Sequence, residues 1–147
     1  MISSILVPTD GSISAQKAAR YAIRLAKQLN CSINILSVID NPSMMDQPVS
    51  DSVHHILEPV EDYLKDAAGA FTSEIKEMCN ENGVKSEIII TSGDPAEEIT
   101  KEAERLNVDL IVIGSHGRSA LAAAFLGSVT HSTIQKQTKI PVLIVRS

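Results

Sequence analysis

The stretch Asp-Leu-Ile-Val-Ile-Gly-Ser-His-Gly, residues 109–117, joins a short apolar run to a polar segment that contains two glycines. A continuous run of leucine and β-branched side chains of this length is typical of a strand buried on both faces of a parallel sheet. The glycines that follow indicate a turn where that strand ends. The sequence therefore predicts a strand over residues 109–113 that leads into a glycine-containing loop.

Four similar apolar runs occur elsewhere in the chain, and stretches with helical periodicity separate them. We predict further strands over residues 2–7, 32–39, 86–91 and 141–145, and helices over residues 14–29, 59–82, 94–106 and 128–138. Ser14 is the expected N-cap of the first helix, and Asp94 with Pro95 in the first turn is expected to start the third. Residues 40–58 are predicted to form a loop with a fragment of helix over residues 53–57.

Strands that alternate with helices must be joined by crossovers, and right-handed crossovers give a parallel sheet. We therefore predict an α/β protein with a doubly wound, five-stranded parallel sheet and helices on both faces. Residues 1–147 contain no linker, repeat or low-complexity tract, which favours a single domain. In such sheets, ligands bind beyond the carboxyl ends of the strands, where the winding direction reverses.

Composition excludes several classes of function. The 147 residues have a net charge of −5, so the chain has no general attraction for nucleic-acid backbones or anionic membranes. Aromatic residues are only 3% of the chain, which is too few for a base-stacking surface, and no apolar run is long enough to insert into a membrane. Cys31 and Cys79 form no C-x-x-C pair, and the first residues lack a basic signal-peptide region. We therefore expect reduced thiols and a cytoplasmic location.

The loop after residue 113 begins the pattern G-x2-G-x9-G-S, which spans residues 114–128. Gly114 and Gly117 lack a Cβ, so they permit positive φ and let backbone N–H groups approach an anion. Gly127 and Ser128 open a helix whose first N–H groups are unpaired, and the hydroxyls of Ser128 and Thr130 add donors. The pattern predicts a phosphate site, although it matches neither the P-loop nor the dinucleotide fingerprint.

A structural interpretation of the same glycines stays open. Gly114 could simply end a strand, and Gly127 could simply precede an ordinary serine-capped helix. Asp10, which follows the first strand, could bind a ligand or could cap the turn into the first helix. His116 and Arg118 could donate hydrogen bonds to phosphates or could be solvated loop residues.

No metal site is predicted. His54 and His55 are adjacent, so they face apart on a helix, and no other residues with ligand spacing surround them. Asp10 is the one carboxylate that we place near the glycine loop. A triphosphate ligand would normally bring Mg²⁺ with it.

Four segments of the chain together resemble the universal stress protein family: residues 5–12 (ILVPTDGS), 93–99 (GDPAEEI), 109–117 (DLIVIGSHG) and 141–145 (PVLIV). The resemblance covers essentially the whole chain outside residues 40–58. The G-x2-G-x9-G-S spacing is similar to that of the ATP-binding branch of the family. The resemblance implies a Rossmann-like sheet with strand order 3-2-1-4-5, ATP at its carboxyl edge, and a dimer.

The resemblance also implies a role for each residue of the site. Asp10 would hydrogen-bond the ribose, and the backbone of Pro8 and Val38 would line the adenine pocket. The ribose and phosphates would be surrounded by Gly114, Ser115, His116, Gly117, Arg118, Ser119 and Ala120. The phosphate end would be held by Gly127, Ser128, Val129 and Thr130.

The last predicted strand begins at Pro141 and ends at Val145, close to the last residue of the sequence. At a sheet edge, its unpaired backbone would pair with a second copy of the chain, which agrees with the dimer that the resemblance implies. The alternative is an edge covered by a loop.

We therefore predict a cytosolic, homodimeric ATP-binding protein of the stress response that acts as a sensor or switch on an unidentified protein partner. An ATPase or nucleotidyl-transferring enzyme is one alternative. Near the glycine loop, however, only His116, Arg118 and Asp10 could assist, so at most slow hydrolysis is expected and no catalytic residue is assigned. The other alternative is an interaction module that binds AMP or a cyclic nucleotide.

Overall fold

The computed structural model describes residues 1–40, 51–117, 127–136 and 138–146. Strands and helices alternate along the chain, as the sequence predicts. The strands are β1 (Ser4–Pro8), β2 (Ser32–Ile39), β3 (Ser86–Ser92), β4 (Leu110–Gly114) and β5 (Val142–Val145). The helices in the described residues are α1 (Ile13–Leu29), α2 (Asp51–Glu81), α3 (Pro95–Arg105) and α4 (Ser128–Gln135).

The five strands form one parallel sheet in the order β3-β2-β1-β4-β5, which confirms the predicted fold class and strand order. β1 lies at the centre, with Ile5 opposite Ile33 of β2 on one side and Leu110 of β4 on the other. The winding therefore reverses between β1 and β4. The loops that follow these two strands meet at the carboxyl edge of the sheet, which is where ligands bind in such folds.

Two apolar cores cover the two faces of the sheet, so the predicted double layer of helices is confirmed. On one face, α1 and α2 pack against strand residues such as Ile5 and Val7. On the other face, α3 and α4 pack against residues such as Leu6 and Ile111. Because side chains alternate along a strand, every residue of β1 from Ile5 to Val7 is fully buried, and each contributes about 1.5–3 kcal/mol to folding.

The start of α1 differs from the prediction. The N-cap is Ser12, whose extended backbone lets its Oγ accept a hydrogen bond from the Ala15 N–H at 3.1 Å. Ser14 is instead buried inside the first turn of the helix. Gly11 explains the difference, because its φ of +79° turns the chain sharply enough for the helix to begin at residue 13.

The other helix boundaries test the remaining predictions. Asp94 is the N-cap of α3, with Pro95 in the first turn, and its carboxylate accepts from the Glu97 N–H at 3.1 Å, as predicted. α2 begins at Asp51, so the prediction of a helix that starts at Pro59 is wrong and Pro59 lies inside the helix. α4 ends at Gln135 rather than near residue 138. Within the predicted loop over residues 40–58, residues 41–50 lie outside the described residues.

Candidate functional site

The loops after β1 and β4 and the start of α4 come together at the carboxyl edge of the sheet. A Cβ placed on Gly117 would lie 3.0 Å from Oδ2 of Asp10, so the two loops approach each other closely. A Cβ on Gly127 would lie 3.1 Å from the backbone nitrogen of Gly117 and from Cα of His116. Residues far apart in the sequence therefore surround one small region, the glycine cradle, which we define as residues 10, 114–117 and 127–130.

Asp10 caps the turn between β1 and α1. Its Oδ1 accepts a hydrogen bond from the Ser12 N–H at 2.9 Å, while the Gly11 N–H donates to Oγ1 of Thr9 at 3.2 Å. Oδ2 of the same carboxylate is directed at Gly117. The turn-capping interpretation of Asp10 thus holds for one carboxylate oxygen, and the other oxygen lies at the glycine cradle.

Gly114 has a packing role that the sequence did not predict. A Cβ on Gly114 would lie 2.5 Å from Oγ of Ser14 and 2.8 Å from its backbone carbonyl, so the missing side chain lets α1 pack against the end of β4. Gly114 does not have positive φ either, since the described glycines with positive φ are Gly11, Gly83 and Gly93. Neither Gly114 nor Gly117 therefore uses the positive φ that a glycine permits.

The missing side chains of Gly117 and Gly127 leave room between the two loops and the start of α4. Gly127 is the N-cap of α4, with an ordinary φ of −63°, and its N–H donates to the Ser115 carbonyl at 2.7 Å. Any side chain at Gly127 would press on the backbone of residues 116 and 117. These two glycines keep side chains out of the centre of the cradle, which permits a ligand to approach the backbone.

The start of α4 has no side-chain cap, so the alternative of an ordinary serine-capped helix is wrong. The first intrahelical bond runs from the His131 N–H to the Gly127 carbonyl at 2.9 Å. The N–H groups of the first three helical residues, Ser128, Val129 and Thr130, therefore have no partner inside the helix. Together with the helix dipole, these donors create a positive potential at this end of α4.

Several backbone donors of the cradle are already occupied. The Ser115 N–H donates to the Val145 carbonyl at 3.1 Å, and the His116 N–H donates to Oγ of Ser14 at 3.2 Å. Within the described residues, the Gly117 N–H makes no hydrogen bond. Gly117 and the first turn of α4 are therefore the backbone positions of the cradle that can donate to an anion.

Some side chains of the cradle are likewise already hydrogen-bonded within the protein, whereas others remain accessible to a ligand. Thr130 is buried, and its hydroxyl donates to the Gly114 carbonyl at 2.7 Å, so the prediction of a phosphate donor at this hydroxyl is wrong. Oγ of Ser115 lies 2.8 Å from Nδ1 of His116, which orients that imidazole. Ser128 is exposed at the first position of α4.

Pro8 and Val38 lie on the two neighbouring strands β1 and β2. Pro8 is the last residue of β1 and is buried, opposite Leu36. Val38 is opposite Thr91 of β3, and its side chain packs in the core beneath α3 and α4. The contact between the Val38 backbone and adenine stays a prediction.

Three candidate residues, Arg118, Ser119 and Ala120, lie outside the described residues, and so does the rest of residues 118–126. Within the described ranges, no group of three or more histidine, cysteine or acidic side chains could hold a metal ion. Across the same ranges, no helix combines the length and apolar character needed to cross a membrane.

The sequence analysis missed the role of Ser14. This residue is buried between α1 and β4, contacts the backbone of Gly114 and accepts from His116. It also missed Phe71 of α2, whose ring lies where a Cβ on Gly11 would be, 2.5 Å away. A buried serine in an alanine-rich helix is a weak signal, and no pattern in the sequence links Phe71 to a turn sixty residues earlier.

A doubly wound parallel sheet with a glycine cradle at the switch point defines a class of α/β proteins that hold ligands at the carboxyl edge. Comparison with protein families narrows this class. The model of the Universal stress protein family matches residues 1–146, and the chain belongs to this family.

Individual relatives agree with this assignment. The chain is 36% identical to the universal stress protein YxiE of Bacillus subtilis, and the alignment covers 99% of this chain and 100% of YxiE. It is similar to the solved structure of the hypothetical protein MJ0577 of Methanocaldococcus jannaschii, with a TM-score of 0.86, 33% identity and coverage of 100% and 97% of the two chains. A universal stress protein solved in complex with cAMP has a TM-score of 0.68 and 25% identity, with coverage of 99% and 97%.

Proposed function

We propose that this chain is a cytoplasmic, homodimeric stress-response protein that binds ATP in the glycine cradle and acts as a nucleotide-dependent switch on a protein partner. The observation that carries the proposal is the juxtaposition of Asp10, Gly117 and Gly127 at the uncapped start of α4. This arrangement offers a carboxylate for ribose hydroxyls and backbone donors for phosphates in one place.

Each part of ATP has a proposed position. The β- and γ-phosphates lie against the N–H groups of Gly117, Ser128 and Val129, and the Ser128 hydroxyl adds a donor. The ribose lies at Oδ2 of Asp10, and the adenine lies against the backbone of Pro8 and Val38. Arg118, Ser119 and Ala120 remain candidate contacts to the ribose and phosphates on the family resemblance alone, because they lie outside the described residues.

A magnesium ion is expected to arrive with the triphosphate. Mg²⁺ usually keeps several water ligands and binds substrate phosphates together with one or two carboxylates. Asp10 is the carboxylate that the described residues place at the cradle. We therefore propose that phosphate oxygens and water supply most of the ligands of any such ion.

The homodimer is proposed to form through β5. This strand lies at an edge of the sheet, and its four residues, Val142 to Val145, are only partly buried in the single chain. An apolar edge strand with a free hydrogen-bonding side readily pairs with a second copy. A two-fold axis beside β5 would bury these side chains in both subunits.

The cytoplasmic location rests on the cysteines. Cys31 and Cys79 are both buried and free of disulfides, as is typical of proteins in reducing compartments. Burial raises the pKa of both thiols, so neither is a reactive thiolate at neutral pH.

Isothermal titration calorimetry of nucleotide-stripped protein with MgATP tests the proposal. The double variant Gly117→Val and Gly127→Val fills the cradle with side chains and removes at least two hydrogen bonds to phosphate, each worth about 1.5–3 kcal/mol. We expect ATP affinity to fall by at least about a hundredfold. Gly69→Ala is the matched control, because a Cβ at this helical glycine meets nothing within 4 Å. Unchanged affinity in a folded double variant would contradict the site.

A second candidate ligand is another adenine nucleotide, AMP or cyclic AMP. One observation favours it, because a relative with 25% identity was solved in complex with cAMP. Competition titrations of ATP against AMP and cAMP separate the two candidates. If ATP is the ligand, its β- and γ-phosphates add contacts at α4, and we expect it to bind at least about tenfold more tightly than AMP.

A further inference from the structure

The outer face of α1 carries a row of positive charge. Lys17, Arg20, Arg24 and Lys27 are all exposed, and the helix from Ile13 to Leu29 contains no Asp or Glu. Their spacing of three, four and three residues places the four side chains on one face. At the rise of an α-helix, the row extends over about 15 Å.

None of these four cations makes a salt bridge within the described residues. The opposite face of α1 is the row of buried alanines that packs on the sheet, so the charged row faces outward. Two large side chains accompany the row, since Ile13 is 72% exposed and Tyr21 is 40% exposed. The Arg24 guanidinium lies 5.5 Å from the centre of the Tyr21 ring.

This combination has the composition of a protein interface. Tyrosine and arginine are enriched among the residues that contribute most to protein–protein binding. Since none of the four cations forms a salt bridge with another described residue, binding an acidic partner would break no such bond there.

The neighbouring helix has the opposite charge. Residues 59–81 of α2 contain six acidic residues and two lysines, and five of the acidic side chains are exposed: Asp62, Asp66, Glu74, Glu77 and Glu81. α2 packs beside α1 on the same face of the sheet, because Ile75 and Cys79 share a core with the α1 alanines. A narrow basic strip therefore runs beside an acidic helix.

We propose that this outer face of α1, the basic strip of Lys17, Arg20, Arg24 and Lys27 with Ile13 and Tyr21, docks an acidic segment of a partner protein. The partner's carboxylates pair with the four cations, and an apolar side chain of the partner packs on Tyr21 and Ile13. The inference stands apart from nucleotide binding, because no residue of the strip belongs to the glycine cradle.

The negative charge of α2 favours a narrow acidic partner over a wide polyanion such as a membrane surface or a nucleic-acid duplex. A membrane surface or a nucleic-acid duplex is wide, so it would also face the α2 carboxylates and be repelled by them. A single acidic helix or extended segment is narrow enough to contact α1 alone. A second copy of this chain would also offer an acidic α2 to α1, because a two-fold axis places each α1 against the α2 of the other copy. Self-association is therefore measured separately in the test.

The test uses the full chain and a fluorescently labelled designed helical peptide that has glutamates spaced three and four residues apart around a central leucine. The strip variant combines Lys17→Gln, Arg20→Gln, Arg24→Gln and Lys27→Gln. Its matched control removes four exposed lysines elsewhere: Lys65→Gln, Lys85→Gln, Lys101→Gln and Lys139→Gln. Both variants change the net charge equally, and circular dichroism melts establish that both are folded.

Fluorescence anisotropy at about 50 mM salt, where screening is weak, measures the affinity. We expect the strip variant to bind the peptide at least about tenfold more weakly than the wild type, and the control to stay within about twofold. Should the fourfold variant unfold, the single change Arg24→Gln against Lys101→Gln repeats the comparison, with a smaller loss expected only for Arg24→Gln.

Several outcomes would overturn the proposal. One is an equal loss in both variants, and another is absence of peptide binding to the wild type. A third is strip-dependent binding to vesicles that contain phosphatidylserine or to duplex DNA at the same salt concentration. The last is salt-sensitive self-association in sedimentation velocity that the strip variant abolishes, since that result would assign the strip to contacts between copies of the chain.

Discussion

The backbone amide of Ser115 donates a hydrogen bond to the carbonyl of Val145 at 3.1 Å. The carbonyl of Ser115 in turn accepts from the Gly127 N–H at 2.7 Å. A single residue thus joins the edge strand β5 to the N-cap of α4. Ser115 is therefore hydrogen-bonded to the strand of the proposed dimer edge and to the N-cap at the proposed nucleotide site. We expect a ligand that fixes the start of α4 also to fix the end of β5.

We expect this connection to couple the proposed nucleotide binding to the proposed dimerisation. If β5 pairs with a second copy, ATP binding should order the strand end and strengthen the dimer. We expect the dimer dissociation constant to fall by at least about fivefold in saturating MgATP, which is within the usual range of allosteric coupling. Sedimentation velocity with and without MgATP measures the shift. An identical dissociation constant in the two conditions would remove Ser115 as a link.

Asp10 should contribute to affinity through the ribose. Asp10→Asn keeps an oxygen that can accept from the Ser12 N–H, so the turn and the fold are retained, but it removes the charge at the ribose hydroxyls. Hydrogen bonds to a charged group contribute about 1.5–3 kcal/mol, so we expect about a tenfold loss of ATP affinity or more.

Analogues isolate the ribose contact. The wild type should bind 2′,3′-dideoxy-ATP more weakly than ATP, and Asp10→Ala should bind the two nearly equally, because the acceptor is gone. Calorimetric titration of both proteins with both nucleotides gives the four affinities of a thermodynamic cycle, from which the interaction between Asp10 and the ribose hydroxyls is obtained. Equal discrimination by the two proteins would show that Asp10 serves only the turn.

Gly114→Ala should destabilise the fold rather than only weaken the ligand. The added Cβ would meet the Ser14 backbone at 2.8 Å, and a helix backbone cannot move without repacking α1. Overpacking of this kind costs about 1–3 kcal/mol in the free energy of unfolding. Chemical denaturation measures this loss. Gly69→Ala is the control, and its free energy of unfolding should rise by about 0.5–1 kcal/mol.

Adding Ser14→Ala to Gly114→Ala should not restore stability, because the contact with the Ser14 backbone remains. Full restoration would assign the clash to Oγ of Ser14 alone.

Asp109 should make stability depend on pH in acid. Its Oδ2 accepts from the Ser3 N–H at 2.8 Å, from the Ser3 hydroxyl at 3.1 Å and from the Ser4 N–H at 3.1 Å. These bonds hold the pKa of Asp109 below its ordinary value of 3.8. The carboxylate therefore stabilises the fold fully above that ordinary value, and the contribution is lost as the pH falls through the lowered pKa.

The variant Asp109→Asn gives the measurement. The melting temperature of the wild type should exceed that of the variant near neutral pH, and the difference should shrink steadily in acid below the ordinary pKa of an aspartate. Differential scanning fluorimetry across this range records both curves. A difference in melting temperature that is constant with pH would mean that the charge of Asp109 does not stabilise the contact between the starts of β1 and β4.

Much of the fold could be predicted because its signals are local. The apolar run over residues 109–113 and its four counterparts became the five strands, since buried parallel strands need continuous apolar sequence. Asp94 and Pro95 marked the start of α3 because capping depends on a few adjacent residues. Strand order came from family resemblance, and the sheet confirms it.

The details of the cradle depend on tertiary contacts that the sequence does not display. The spacing of Gly114 and Gly117 indicated a special backbone, but only the packing of Ser14 reveals that Gly114 makes room for a helix. Thr130 was expected to reach a phosphate, yet its hydroxyl reaches the Gly114 carbonyl across the fold. Ser14 was expected to cap α1, yet the turn at Gly11 places the N-cap at Ser12.

Native mass spectrometry of freshly purified protein tests the central claim most directly, because it measures ligand, stoichiometry and oligomer together. We expect a dimer that carries one adenine nucleotide per chain, and we expect the Gly117→Val and Gly127→Val double variant to be folded but empty. A wild-type chain that carries no nucleotide, and that takes up none when MgATP is added, would contradict the account.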